Sequence, residues 1–154
     1  MPITKLKEYL DSQHVKYTII SHSRAYTAQE VAASAHIPGK EMAKTVIVKV
    51  DGKLAMAVLP ASYSVNFDLL KRTVGALNIE LATEREFKDV FPDCDIGAMP
   101  PFGNLYNIDV YASEKLAEDE EIAFNACNHT DLVKMRYADF ERIVKPKVVE
   151  FSYI

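Results

Sequence analysis

The strongest alternation in the chain is AKTVIVKVDGKLAMAVL, residues 43 to 59. Two runs rich in β-branched and aliphatic residues flank Asp51-Gly52, the preferred pair for the two positive φ angles of a type I′ turn. The spacing predicts a β-hairpin. Along its first strand, Lys44, Val46, Val48 and Val50 share one face, and Thr45, Ile47 and Lys49 the other. A lysine on the same face as three valines must either snorkel to solvent or point into a cavity.

Helical spacing appears elsewhere. Ile3, Leu6, Tyr9 and Leu10 fall on one face of a short amphipathic helix over residues 3 to 13. Thr27 and Glu30 have capping-box spacing, so a helix should begin near Ala28 and run to about His36, before Pro38 and Gly39. Thr83 and Glu86 repeat the device for a short helix to about Val90. Asn66 is an N-cap for a helix to about Val74, and residues 137 to 144 form another. Short strands are expected at 15–20, 78–81, 105–111, 121–125, 131–135 and 148–151. Strict βαβα alternation is missing, so the predicted class is α+β, a mixed and mostly antiparallel sheet with helices around it.

Composition narrows the function classes. A chain of 154 residues, 49% apolar and 26% charged, fits one globular domain over 1–154. No apolar run reaches the roughly 18 residues that span a bilayer, and the N-terminus lacks the apolar stretch of a signal peptide. The net charge of −4 supplies no global field for nucleic acid, so any such contact is local. Cys94 and Cys127 fit free thiols in a reducing cytoplasm better than a disulfide scaffold. GxGxxG, GxxxxGK[ST], GxSxG and HExxH are all absent. Neither a cofactor nor a metal is expected.

Two further segments carry candidate chemistry. CDIGAMPPFGNLY, residues 94 to 106, cannot be a regular helix or a central strand, because Pro100 and Pro101 lack amide donors. Yet it is too apolar for an ordinary loop. Gly97 and Gly103 permit positive φ and close backbone approach. Such a segment can aim backbone N–H groups at a carbonyl oxygen, or it can simply plug the core. NACNHT, residues 125 to 130, holds Cys127 two residues from His129, a spacing open to a thiolate–imidazole pair or to a buried cysteine in a turn.

Taken together, Lys44-Thr45 at a strand start, AVLP at 57 to 60, GAMPPFG with its GxxxP pattern, and FNACNHT downstream resemble the YbaK/prolyl-tRNA synthetase-associated editing domain family. The likeness runs from about residue 15 to residue 145. It implies a curved, partly barrel-like sheet and a free-standing enzyme. That enzyme would deacylate mischarged tRNA in trans, with tRNA(Pro) carrying alanine or cysteine as the expected substrate. The partner would be the acceptor end of aminoacyl-tRNA, with an aminoacyl-tRNA synthetase as a further expected partner.

The resemblance also implies roles. Lys44 would contact the terminal adenosine or its ester-linked group, with Thr45 beside it. Gly97 and Ala98 would hold the aminoacyl carbonyl, in a loop completed by Met99, Pro100, Pro101, Phe102 and Gly103. Asn125 and His129 would line the opposite wall, and Tyr26 and Thr27 the entrance. Positioning and oxyanion stabilisation would carry the reaction, with water or a substrate group as nucleophile. Lys40, Lys44, Lys49, Lys53, Lys71 and Arg72 would form a basic rim for the tRNA. A non-catalytic module binding an aminoacyl or nucleotide ligand, or a protein, is the alternative. A thiol hydrolase using Cys127 and His129 is a third reading.

Overall fold

The computed structural model describes residues 2–25, 27–35 and 37–154. Asp51 and Gly52 have φ of 49° and 85°, the paired positive values of a type I′ turn. They join β2 (Ala43–Val50) to β3 (Lys53–Pro60), which pair along their whole length. β2 also pairs antiparallel with β5 (Ile79–Leu81). β3 pairs in parallel with β6 (Asp109–Ser113), and β6 with β9 (Lys147–Val149). The result is a mixed five-stranded sheet in the order β5-β2-β3-β6-β9.

A second sheet is antiparallel, with β8 (Asp131–Arg136) between β1 (Tyr17–Ser21) and β7 (Glu121–Asn125). The two-residue strands β4 (Ser64–Val65) and β10 (Ser152–Tyr153) form a third pair, too short for periodicity to reveal. The second sheet meets the first through a parallel bridge between Met42 and Ala123. The α+β class and the mostly antiparallel sheet are as expected, but the sheets form no closed barrel among the described residues.

Both faces of the five-stranded sheet are covered. Ile47, Met56 and Val58 pack on one face with Leu6 and Leu10 of α1 (Pro2–Ser12) and Phe140 of α5 (Tyr137–Val144). Val48, Ala57 and Leu59 pack on the other with Leu70 of α3 (Phe67–Val74). A third cluster sets Val31 and Ala32 of α2 (Ala28–Ser34) against Met42, Ala123 and Leu132.

Both capping boxes form. The Thr27 Oγ1 accepts from the Glu30 N–H at 3.1 Å, and the Thr83 N–H donates to Glu86 Oε1 at 2.9 Å. The second helix, α4 (Glu84–Phe87), stops short of Val90. α2 ends at Ser34, and its expected end at His36 lies outside the described residues. The strand expected at 105–111 forms instead at 109–113. Residues Gly103–Leu105 wind into a 3-10 turn, and the Gly103 carbonyl accepts from the amides of both Tyr106 and Ile108 at 2.9 Å.

Candidate functional site

Three parts of the chain converge where β7 runs out into Asn125–Thr130. The first is the start of β2. Met42 bridges Ala123 in parallel register, and the Ala123 N–H donates to the Glu41 carbonyl at 2.9 Å. Lys44 and Asn125 each lie two residues beyond that bridge, in the same direction along the two segments. The alternation predicted for β2 holds: Val46, Val48 and Val50 pack with Leu59, the cross-strand partner of Lys44. Lys44 is partly buried and makes no ion pair among the described residues. Burial pushes its ammonium pKa below the ordinary lysine value. Asn125 is 8% exposed, and its Oδ1 has no hydrogen-bond partner among the described residues. An orphaned acceptor of this kind costs about 1–3 kcal/mol unless a ligand supplies the donor.

The second part is the loop over 94–101. The Asp95 N–H donates to the Cys127 carbonyl at 2.9 Å, and the Cys127 N–H to the Ala98 carbonyl at 2.9 Å. The Ala98 N–H closes the turn on the Asp95 carbonyl at 3.0 Å. Gly97 sits at the tip with φ 84°. A Cβ there would meet only His129 Cε1, at 3.8 Å, so backbone conformation rather than crowding calls for glycine. His129 Nε2 lies 3.0 Å from the Ile96 carbonyl. A carbonyl only accepts, so Nε2 carries the proton.

The third part holds that histidine in place. Asn128 Oδ1 accepts from the amides of Thr130 and Asp131 at 2.8 and 2.7 Å, and its Nδ2 donates to Asp131 Oδ2 at 3.0 Å. This is an Asx-turn that fixes the backbone on either side of His129. The β1–α2 connection adds two ties, from the His22 N–H to the Thr130 carbonyl at 2.8 Å and from the Ala25 N–H to the His129 carbonyl at 3.3 Å.

The model of the aminoacyl-tRNA editing domain family matches residues 22–143. The chain belongs to that family. A relative from Escherichia coli (strain K12), named multifunctional Ser/Thr-tRNA deacylase ProXp-y, is 28% identical over 152 residues, covering 96% of this chain and 90% of the relative. A proline–tRNA ligase from Bacillus mycoides (strain KBAB4) is 30% identical over 89 residues, 58% of this chain. That match spans only 16% of the ligase's length. Among solved structures, a candidate trans-editing enzyme for prolyl tRNA synthetase superposes with a TM-score of 0.84 at 17% identity, covering 99% of this chain and 98% of the other. A hypothetical protein superposes with a TM-score of 0.86 at 20% identity, covering 97% and 99%. At those identities the likeness concerns the fold.

In this editing domain the turn of Gly97 and Ala98 meets the segment of Asn125 and His129, and Lys44 lies two residues beyond the bridge that joins β2 to β7. The fold separates the others. Thr45 points to the opposite face of β2 from Lys44. Thr27 is the N-cap of α2, its hydroxyl engaged by Glu30. Tyr26 lies outside the described residues. Met99, Pro100 and Pro101 are buried behind Gly97. Phe102 is fully buried against the rings of Tyr9, Phe124 and Phe140, with centroids 6.0, 5.4 and 5.9 Å away. Gly103 packs so closely on the Ile108 carbonyl that a Cβ would collide with it. Within the loop, Asp95, Ile96 and Gly97 face outward.

Two expectations are corrected. Cys94 and Cys127 are joined as a disulfide rather than free. In this bonded state the Cys127 sulfur offers no thiolate to pair with His129. The six basic residues form no single rim. Lys49 faces away from Lys44, roughly 17 Å along β2 at about 3.3 Å per residue, and is neutralised by Glu86 and Glu80 at 2.6 and 3.4 Å. Lys53 lies beyond the hairpin turn, and Lys71 and Arg72 lie on α3. Cavities of about 320, 300 and 180 Å³ have other linings; the third is bounded by Lys40, Pro60, Tyr63, Lys115, Glu118 and Asp119.

Two site features escaped sequence reasoning. The Ile96 carbonyl is a backbone atom with no sequence signature. The cysteine pair spans 33 residues, and nothing local announces it.

Proposed function

We propose that this chain, as one editing domain over 1–154, is a trans-acting aminoacyl-tRNA deacylase. It hydrolyses the ester between a small amino acid and the 3′ end of a tRNA. The observation that carries this reading is the His129–Ile96 bond behind Gly97, next to the end of β7 that bridges to the start of β2, in a member of the editing family. The deacylase named for its Escherichia coli relative, aligned over 96% of the chain, supports it.

In this reading the Lys44 ammonium holds the terminal adenosine or its phosphate as a point charge. The Gly97 amide makes no hydrogen bond among the described residues, and the residue is exposed. It is therefore the donor for the ester carbonyl, whose oxygen gains negative charge as water attacks. The Ala98 amide is already used inside the turn and its carbonyl accepts from the Cys127 N–H, so Ala98 holds the turn in place and makes no contact with the ester. Asn125 Oδ1 accepts from the substrate's α-ammonium. His129 fastens Ile96 and thereby sets the direction of the Gly97 amide. Attack breaks the bond from carbonyl carbon to ribose oxygen. The ribose oxygen takes a proton, and free amino acid and tRNA leave. The partners are the acceptor end of aminoacyl-tRNA and, as the source of mischarged substrate, an aminoacyl-tRNA synthetase. Such a substrate places the protein in the cytoplasm.

The test is release of amino acid from tRNA(Pro) and other tRNAs carrying alanine, cysteine, serine or threonine. Release from at least one small aminoacyl ester is expected, with serine and threonine first after the relative's name. Thermal stabilisation by an aminoacyl ester analogue without any release would instead support the non-catalytic module.

A further inference from the structure

We propose that Cys94 and Cys127 form an exchangeable dithiol–disulfide centre that pins the Gly97 turn to the end of β7, with low-molecular-weight disulfides such as glutathione disulfide as its oxidant class. The bond joins the two segments that make the candidate site. Cys94 opens the loop carrying Gly97, and Cys127 lies two residues from Asn125 and two from His129. The pairing does not depend on the sulfurs alone. The Asp95–Cys127 and Cys127–Ala98 backbone hydrogen bonds hold the two Cα atoms 4.3 Å apart. After reduction those bonds keep the thiols adjacent, at a high effective concentration for re-closure.

Exposure sets the order of events. Cys127 is 3% exposed, whereas Cys94 is only partly buried, with the Tyr106 hydroxyl 3.7 Å from its sulfur. Cys94 therefore meets the external disulfide first. Its thiolate attacks RS–SR, forms Cys94–S–SR and releases RS⁻, which leaves as RSH once protonated. The Cys127 thiolate then attacks Cys94 Sγ, forms the internal disulfide and releases the second RSH. The protein loses two protons and two electrons, and one RSSR gains them to become two RSH.

The closed centre adds a covalent fastening beside the backbone pair and the His129–Ile96 bond. Opening it frees the turn to fluctuate, so the Gly97 amide is best aimed in the oxidised state. That last step rests on the deacylase reading; the cross-link and its effect on the turn do not.

The experiment equilibrates the protein in glutathione buffers from fully reduced to fully oxidised. Thiols are trapped by alkylation and counted by intact mass, amide exchange is followed over 94–101, and deacylation is measured in parallel. Free thiols should fall from two to none without retained glutathione, since the chain has two cysteines. Exchange of the 95–99 amides should slow by about threefold or more on oxidation. Cys94→Ser and Cys94→Ala should exchange like the reduced protein at every ratio. Two alkylatable thiols in fully oxidising buffer, a mixed disulfide that never resolves, or cross-linking with unchanged exchange overturns the proposal. A chain that cross-links and slows its exchange but never deacylates upholds this centre and overturns the deacylase reading alone.

Discussion

His129 donates from Nε2 to the carbonyl of Ile96, 3.0 Å away, and so ties the NACNHT segment to the residue before Gly97. Two stretches more than thirty residues apart act through this bond as one wall. The imidazole is itself held by the Asn128 turn, so its position is set from both sides.

Replacing His129 tests that tie. His129→Ala should lower kcat by about 10-fold or more, the loss expected when a positioning contact relaxes the group that acts in the transition state. KM should move less. His129→Gln keeps a side-chain N–H donor and should recover part of kcat. Equal kcat in all three proteins would refute the positioning role.

Gly97→Ala probes the tip of the turn. An L-residue at φ 84° is strained by about 1–2 kcal/mol, while the nearest side-chain atom leaves room for the methyl. Thermal unfolding should show a small loss of stability. Deacylation should fall further than that loss explains, because the turn can relax only by re-aiming its amide. An unchanged rate would mean that the amide is not the donor.

Phe102 separates packing from ligand contact. It is fully buried among three other rings, so Phe102→Ala should cost about 3–5 kcal/mol in denaturant unfolding. KM of the protein that remains folded should stay near wild type. A stable variant with a raised KM would return Phe102 to the substrate wall.

Asp119 gives a pH signature away from the site. Burial first, and then the Glu41 carboxylate, raise its pKa from 3.8 to about 6. The folded state thus holds this proton more tightly than the unfolded chain does. The associated stability is complete below pH 3.8 and is lost as pH rises through about 6. Asp119→Asn removes the titration, so its Tm relative to wild type should be higher at pH 7 than at pH 4. A pH-independent difference would show that Asp119 is solvated.

Much of the fold was legible because its signals are local. Asp51-Gly52 sets its own φ angles, and Thr27 and Thr83 cap with residues three positions on. Lys44 on a valine face follows from a period of two. Tertiary partners were not legible. Lys49 reads as a free surface cation until β5 brings Glu80 opposite it. Phe102 and Gly103 read as pocket lining within GAMPPFG, yet the rings and the carbonyl that enclose them come from other parts of the chain. Residue types suited to a ligand wall are equally suited to a core, and only the arrangement of neighbours separates the two.

Single-turnover deacylation by Lys44→Met, with Tm measured on the same sample, tests the central claim most directly. Burial disfavours the Lys44 ammonium, so this charge costs stability throughout the pH range below its lowered pKa. Methionine fills a similar volume without that cost. At enzyme concentrations below saturation the rate should fall by about 10- to 100-fold, as when a contact between a charged group and bound substrate is removed, while Tm at pH 7 stays equal or rises. A Lys44→Met protein that deacylates every small aminoacyl-tRNA at the wild-type rate would contradict the account.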